Sequence, residues 1–252
     1  MRSHDRDFVG SLEKGLLLIE AFDVNQPRLT VAEAARRADL TRAAARRYLL
    51  TLVALNYAET DGKHFWLCPK VLRLGYAFLS TASLPKIAQP ILDQIGTKTK
   101  EVTSLHTLVD SEIVCLAHSA IRRMVAATSN IGMRLPAYSS AAGRVILASW
   151  SDEAVIAYLK SIKRERLTPM TMTRLEDLMA EIAQVRANGY AISDEELEIG
   201  LRAIAVPLAD SRGEVHFALA VSVLAAHLSV EEMVRNILPQ LLSGKKVIEQ
   251  SL

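Results

Sequence analysis

Thr41, Arg42, Arg46 and Arg47 stand close together, with Ala43 and Ala44 among them. An arginine offers a planar fork of donors that pairs bidentately with guanine or a phosphate. Small residues between the arginines let a helix backbone come close to base edges. This is the chemistry of reading a nucleic-acid duplex rather than of making or breaking bonds. Tyr48 sits at the edge of the run, and Thr30 opens the segment before it. Farther on, Lys63 and His64 suit phosphate or minor-groove contact.

Other chemistries find no support. His4, His64, His106, His118, His216 and His227 are scattered, with no H-x-x-x-H or C-x-x-C set for a metal. There is no P-loop and no G-x-G-x-x-G. The S-A-A-G at 140–143 is not the G-x-S-x-G of a nucleophile elbow. His106 and His118 read as core or pocket histidines on strands. No catalytic residue, metal or cofactor is expected.

The elements that position the arginines are legible. Thr30 begins T-V-A-E, a capping box with Glu33. Val31, Ala34, Ala35 and Ala38 follow at helical spacing. Asp39-Leu40 breaks the run, and Thr41 caps the next helix, whose apolar stripe is Ala45, Leu49, Leu52 and Val53. Asp61-Gly62 between two short runs is a hairpin signal. Helix, turn, basic helix and hairpin in that order describe a winged helix-turn-helix. A helix over 11–22 precedes them, with Leu12, Leu16, Ile19 and Phe22 on one face.

The chain has 252 residues, half of them hydrophobic, with a net charge of only +2. Residues 1–80 carry 12 Lys/Arg against 9 Asp/Glu, and residues 28–47 alone hold six arginines. A modest basic patch fits a dimer that gains affinity from two half-sites. Cys68 and Cys115 imply no disulfide framework and read as buried, inert thiols. The N-terminal MRSHDRDF lacks the apolar core of a signal peptide, and no apolar run reaches the length of a membrane span. A cytoplasmic location is the expectation.

Pro69 opens a helix over the following residues, with Val71, Leu74, Phe78 and Leu79 as its stripe. It reads as a linker and dimer contact, with Pro85 as the next boundary. Beyond it, helix is expected over 85–99, with Pro90 as a second start. Strands are expected at 102–109, 112–118, 124–127, 203–208 and 215–223. Further helices are expected from Gly143, at 151–159 and at 173–188, and from the capping box at Ser229. Tyr190-Ala191-Ile192 precedes an acidic loop, Asp194, Glu195, Glu196 and Glu198, whose carboxylates anchor the loop or stay in solvent. The fold class is α+β: residues 1–68 a winged helix-turn-helix, 69–84 a linker helix, and 85–252 an antiparallel sheet covered by helices.

Four ordered segments, DFVGSLEKGLLLIEAF (7–22), LTRAAARRYLLTLVALNY (40–57), LPAYSSAAGRVILA (135–148) and GYAISDEELEIGLRAIAVPLAD (189–210), resemble the IclR-type transcriptional regulators. The similarity is greatest to the branch controlling aromatic-acid catabolism through the β-ketoadipate pathway. The resemblance implies double-stranded operator DNA as partner, a GAF-like effector-binding domain, and a homodimer that assembles as a dimer of dimers. It also implies a small organic acid, such as an aromatic carboxylate, as effector. Carried onto this chain, the effector site includes Met124, Ala127, Leu135, Ala141, Ala142, Ser193, Leu201 and Ala203. The N–H groups of Ala141 and Ala142 would meet a carboxylate, with hydroxyls from Ser139 and Ser140. Arg202 pairs with an acid such as Asp194 or meets the ligand. Small-acid members often have Asp and Cys where this chain has Ser193 and Ala203; the exchange favours a larger, aromatic acid. The alternative is a DNA-binding regulator controlled by a protein partner or a redox change.

Overall fold

The computed structural model describes residues 7–23, 26–119 and 130–251. The chain divides into two compact units, Met1–Thr81 and Ala82–Leu252.

In the first unit α1 (Gly10–Glu20) packs on α2 (Val31–Arg37) and α3 (Arg42–Ala54). Thr30 Oγ1 accepts from the Glu33 N–H while the Glu33 carboxylate accepts from the Thr30 N–H, completing the capping box. Asp39 takes a positive φ of 51° in the turn, and Thr41 Oγ1 caps α3 through the Ala44 N–H. Ala45, Leu49 and Leu52 face the core with Leu18, Leu29, Ala34 and Phe65. The expected face of α1 needs correction. Leu18 is fully buried and Ala21 nearly so, while Leu12 and Leu16 are 63% and 47% exposed. The run Gly15-Leu16-Leu17-Leu18-Ile19 is apolar all round, so periodicity leaves its phase open.

The wing gains a strand beyond the expected hairpin. β1 (Leu29–Thr30), β2 (Ala58–Thr60) and β3 (His64–Leu67) form an antiparallel sheet in the order β1-β3-β2. Two residues are too few to show alternation in sequence. After a 3₁₀ turn at Pro69–Val71, α4 (Leu72–Thr81) exposes Leu72, Leu74, Tyr76 and Phe78.

In the second unit α5 (Ser83–Thr99) carries Pro85 in its first turn, where an N–H would lack an intrahelical partner anyway, and stays helical through Pro90. Among the described residues the sheet has six antiparallel strands in the order β6-β5-β4-β9-β8-β7. They are β4 (Val102–Val109), β5 (Glu112–His118), β6 (Arg134–Pro136), β7 (Ala191–Asp194), β8 (Leu201–Ala209) and β9 (Val215–Leu224). The short edge strands β6 and β7 are not among the strands expected from the sequence, and the end of β7 takes in Asp194 of the expected acidic loop. The strand expected at 124–127 lies outside the described residues.

Helices cover both faces. On one, α5 and α10 (Leu238–Glu249) pack Leu92, Ile95 and Leu241 on Leu105, Leu219 and Val221. On the other, α6 (Ala141–Leu147), α7 (Asp152–Ser161) and α8 (Leu175–Asn188) pack Val145, Leu159 and Ile182 over Ala205, Ala218 and Ala220. Those alanines let α6 lie close to the sheet. α6 begins two residues before the expected Gly143. Gly189, at φ 75°, ends α8 in the left-handed conformation, as the Asn-Gly pair predicts. α9 (Val230–Glu232) opens on the Ser229–Glu232 capping box and continues through a π-helical turn, Met233–Ile237. Pro239, which has no N–H to donate, follows that turn.

Candidate functional site

Two sites emerge, one in each unit. In the first, the capped N-terminus of α3 sets Thr41, Arg42, Ala43, Arg46 and Arg47 in solvent. The side chains of Arg42, Arg46 and Arg47 make no hydrogen bond or ion pair with described residues. Two other arginines of the basic stretch, Arg37 and Arg28, are engaged. Arg37 donates to the Ala21 carbonyl and pairs with Asp23 at 2.7 Å, and the Arg28 guanidinium lies 4.3 Å over the Trp66 ring. The three free arginines therefore carry the unsatisfied donor capacity that phosphates or base edges would meet. Tyr48 is half-buried against the core, with Thr30 held by its own cap.

At the wing tip Lys63 is exposed. His64 lies on β3, and its Nδ1 is 3.2 Å from Asp61 Oδ2. The Asp61 carboxylate also accepts from the His64 and Lys63 N–H groups, which hold its pKa down to about 2. The turn is thus fixed by its own acid, and Gly62 takes φ 94° there.

In the second unit a cavity of about 30 Å³ lies between the sheet and α6. It has room for one or two waters, so an aromatic acid requires the lining to move apart. Leu135, Ser140, Ala141, Ala142, Leu201 and Ala203 line it, all expected from the sequence. So do Ile113, Leu197, Ala220 and Ser222, which the sequence reading did not place there, and His106, read from the sequence as a core or pocket histidine. No charged side chain is among these described residues. Ala141 and Ala142 are the first two residues of α6, and their N–H groups lie beyond the reach of any intrahelical carbonyl. Ser140 Oγ accepts from the Gly143 N–H.

Other expected residues are not among those that line the cavity. Ser193 Oγ donates to the Ser139 carbonyl at 2.8 Å, tying β7 to the turn before α6. Arg202 turns away to Asp194 and to the carbonyls of Ala225 and Leu228. Met124 and Ala127 lie outside the described residues.

The acidic loop is anchored. Glu196, only 3% exposed, receives both terminal nitrogens of Arg144 at 2.6 Å and the Met172 N–H at 3.1 Å. Glu195 accepts from the Gly200 N–H. Arg144 was missed from the sequence; a lone arginine in an apolar helix, Ala-Gly-Arg-Val-Ile-Leu, was the signal available. Gly143 is as constrained, since a Cβ there would stand 2.2 Å from the Ala137 carbonyl oxygen.

Cys115 is buried, and burial pushes its thiol pKa up to about 12. A redox sensor needs an accessible thiolate, so Cys115 does not fit that role. Cys68 is half-buried, and its pKa too is raised by burial.

Residues 11–62 match the IclR helix-turn-helix domain and residues 76–248 match the bacterial transcriptional regulator IclR C-terminal domain. The chain belongs to the IclR family. Among IclR relatives, the Pca regulon regulatory protein of Pseudomonas putida is 41% identical over 243 residues, covering 96% of this chain and 84% of that protein. The crystal structure of a protein described as a transcriptional regulator from Rhodococcus sp. RHA1 is 42% identical, with a TM-score of 0.80 over 97% of this chain and 98% of that one. An IclR homologue from Microbacterium hydrocarbonoxydans, solved in complex with 4-hydroxybenzoate, is 25% identical, with a TM-score of 0.74 over 95% of this chain and 98% of that one. The IclR domains and these relatives are regulators of transcription rather than enzymes. No helix among the described residues is long and apolar enough to cross a membrane.

Proposed function

We propose that this chain is an operator-binding regulator of aromatic-acid catabolic genes, acting in the cytoplasm and responding to a small aromatic acid. The observation that carries the DNA-binding half is the exposed, unpaired set Arg42, Arg46 and Arg47 on a capped α3. Thr41, Ala43 and Tyr48 would contact DNA beside them, and Thr30, Lys63 and His64 would touch the backbone or minor groove.

The effector half is supported by the cavity under α6 and by the Pseudomonas and Microbacterium relatives. An entering carboxylate would meet the Ala141 and Ala142 N–H groups and hydroxyls from Ser140 and Ser222, since no cation lines the described wall. Ser139, Ser193, Asp194 and Arg202 would support the site from behind, with Met124 and Ala127 completing it. The exposed Leu12, Leu16, Leu72, Tyr76 and Phe78 favour a homodimer through the first unit, and pairs of dimers would occupy an operator. Residues 69–84 would link the DNA-binding domain, 1–68, to the effector domain, 85–252. Ligand would shift a population of two arrangements by binding one of them more tightly.

The test is a thermal-shift screen of the full chain against aromatic and dicarboxylic acids. A ligand that binds only the folded state adds roughly 2.7 kcal/mol at a hundredfold excess over Kd. Selective stabilisation by a hydroxybenzoate supports the reading. No shift with any acid would move the function to a DNA-binder controlled by a protein partner.

A further inference from the structure

The cavity floor carries one polar group whose capacity the fold leaves unused. On β4, Ser104 stands opposite Ala220 and His106 opposite Ala218 of β9, while Ser222 stands opposite Ala203 of β8. Strand alternation puts these residues on the face that α6 covers, a face otherwise made of alanines and aliphatic side chains. His106 is 4% exposed. Its Nε2 is 2.8 Å from Ser104 Oγ, while its Nδ1 has no partner among the described residues. A buried ring nitrogen of this kind is uncommon, because an unmet donor or acceptor forfeits its hydration without return. The same residue lines the cavity.

We infer that His106 determines effector specificity by bonding, through Nδ1, the ring hydroxyl of an aromatic acid. The inference rests on the effector reading above. A neutral imidazole has one N–H and one lone pair. The Ser104 hydroxyl can donate to Nε2 or accept from it, so Nδ1 faces the ligand as either donor or acceptor. A phenolic O–H satisfies both cases. A carboxylate only accepts, and it would bring a buried charge with no cation on the described wall. Burial also favours the neutral ring, lowering its pKa to about 4. The carboxylate therefore belongs at the roof, by Ala141 and Ala142, and the hydroxyl at the floor, by His106.

Calorimetric titration of the full chain with benzoate, 3-hydroxybenzoate and 4-hydroxybenzoate tests this. The wild type should bind one hydroxybenzoate at least about tenfold tighter than benzoate, because a site built to bond a hydroxyl rejects the analogue lacking it. His106→Gln places its amide near Nε2 and leaves the Nδ1 position empty, so the two acids should bind within about twofold of each other. His106→Asn places its amide near Nδ1 and should keep most of the preference. Both replacements are polar and smaller than the ring, which protects folding. An undiminished preference in His106→Gln, or a wild type that binds benzoate as tightly as both hydroxybenzoates, would overturn the assignment while leaving the effector reading intact. Failure of the wild type to bind any of the three would overturn the reading itself, and His106 with it.

Discussion

The Arg144 guanidinium, at the middle of α6, holds both carboxylate oxygens of Glu196 at 2.6 Å with almost no water around either group. Arg144 also donates to the carbonyls of Tyr138 and Ile192. One side chain thus fastens α6, the turn before it, β7 and the acidic loop. These elements adjoin the cavity, so the pair helps to hold its geometry.

Breaking that pair from one side strands a buried charge, at a cost of roughly 3–5 kcal/mol. Arg144→Met is expected to destabilise the second unit by that amount in calorimetric unfolding. The double variant Arg144→Met with Glu196→Leu should recover much of the loss, because it removes both charges. A double variant less stable than Arg144→Met would show that the pair is not the cause.

Gly143 supplies the second constraint on the same helix. Its missing Cβ would meet three backbone atoms of Ala137 within 2.6 Å, and backbone cannot rotate away. Gly143→Ala should cost about 1–3 kcal/mol by overpacking, despite the gain in helix propensity, and should weaken ligand stabilisation. A variant as stable as the wild type would contradict the close approach.

These two residues mark the limit of what the sequence discloses. Features governed by neighbours in the chain were legible: both capping boxes, Thr41 as a cap, the Asn188-Gly189 stop, and β4 and β5 to the residue. Six of the eleven residues that line the cavity were also named, through the segments 135–148 and 189–210 that resemble the family. Features set by distant contacts were not. Arg144 and Glu196 are 52 positions apart, and nothing local in an acidic run says which carboxylate turns inward. β6 and β7 exist because β5 and β8 offer them an edge. Leu18 rather than Leu16 is buried because α2 and α3 decide which face of α1 is covered.

His106 predicts a pH dependence. Its folded pKa, lowered to about 4 by burial, lies below the ordinary 6.5. Above pH 6.5 the ring is neutral in both states and contributes nothing. As pH falls from 6.5 to 4 the unfolded chain takes up a proton that the folded chain refuses, so stability drops, by about 3 kcal/mol at pH 4. The stability difference between wild type and His106→Asn should move against the wild type across that window. A difference that does not change with pH would refute the burial of a neutral ring.

Arg46 lies on the exposed face of α3 and makes no hydrogen bond or ion pair with described residues. Arg46→Ala should leave the melting temperature of the first unit within about 2–4 °C, since surface changes of this kind are worth under about 0.5 kcal/mol. Operator affinity at fixed salt should fall by about 1–3 kcal/mol if the contact is to a base. If it is to a phosphate, the salt slope should fall by about one. Unchanged affinity and slope would remove Arg46 from the interface.

The central claim, that occupancy of the cavity controls DNA binding, is tested most directly by anisotropy on labelled DNA from upstream of the regulator's own gene. Operator affinity would be measured at fixed salt with and without saturating 4-hydroxybenzoate. The predicted result is a change of at least about fivefold, in the 1–3 kcal/mol range of coupling between two sites. Equal affinities, with the ligand shown by calorimetry to be bound, would contradict the account.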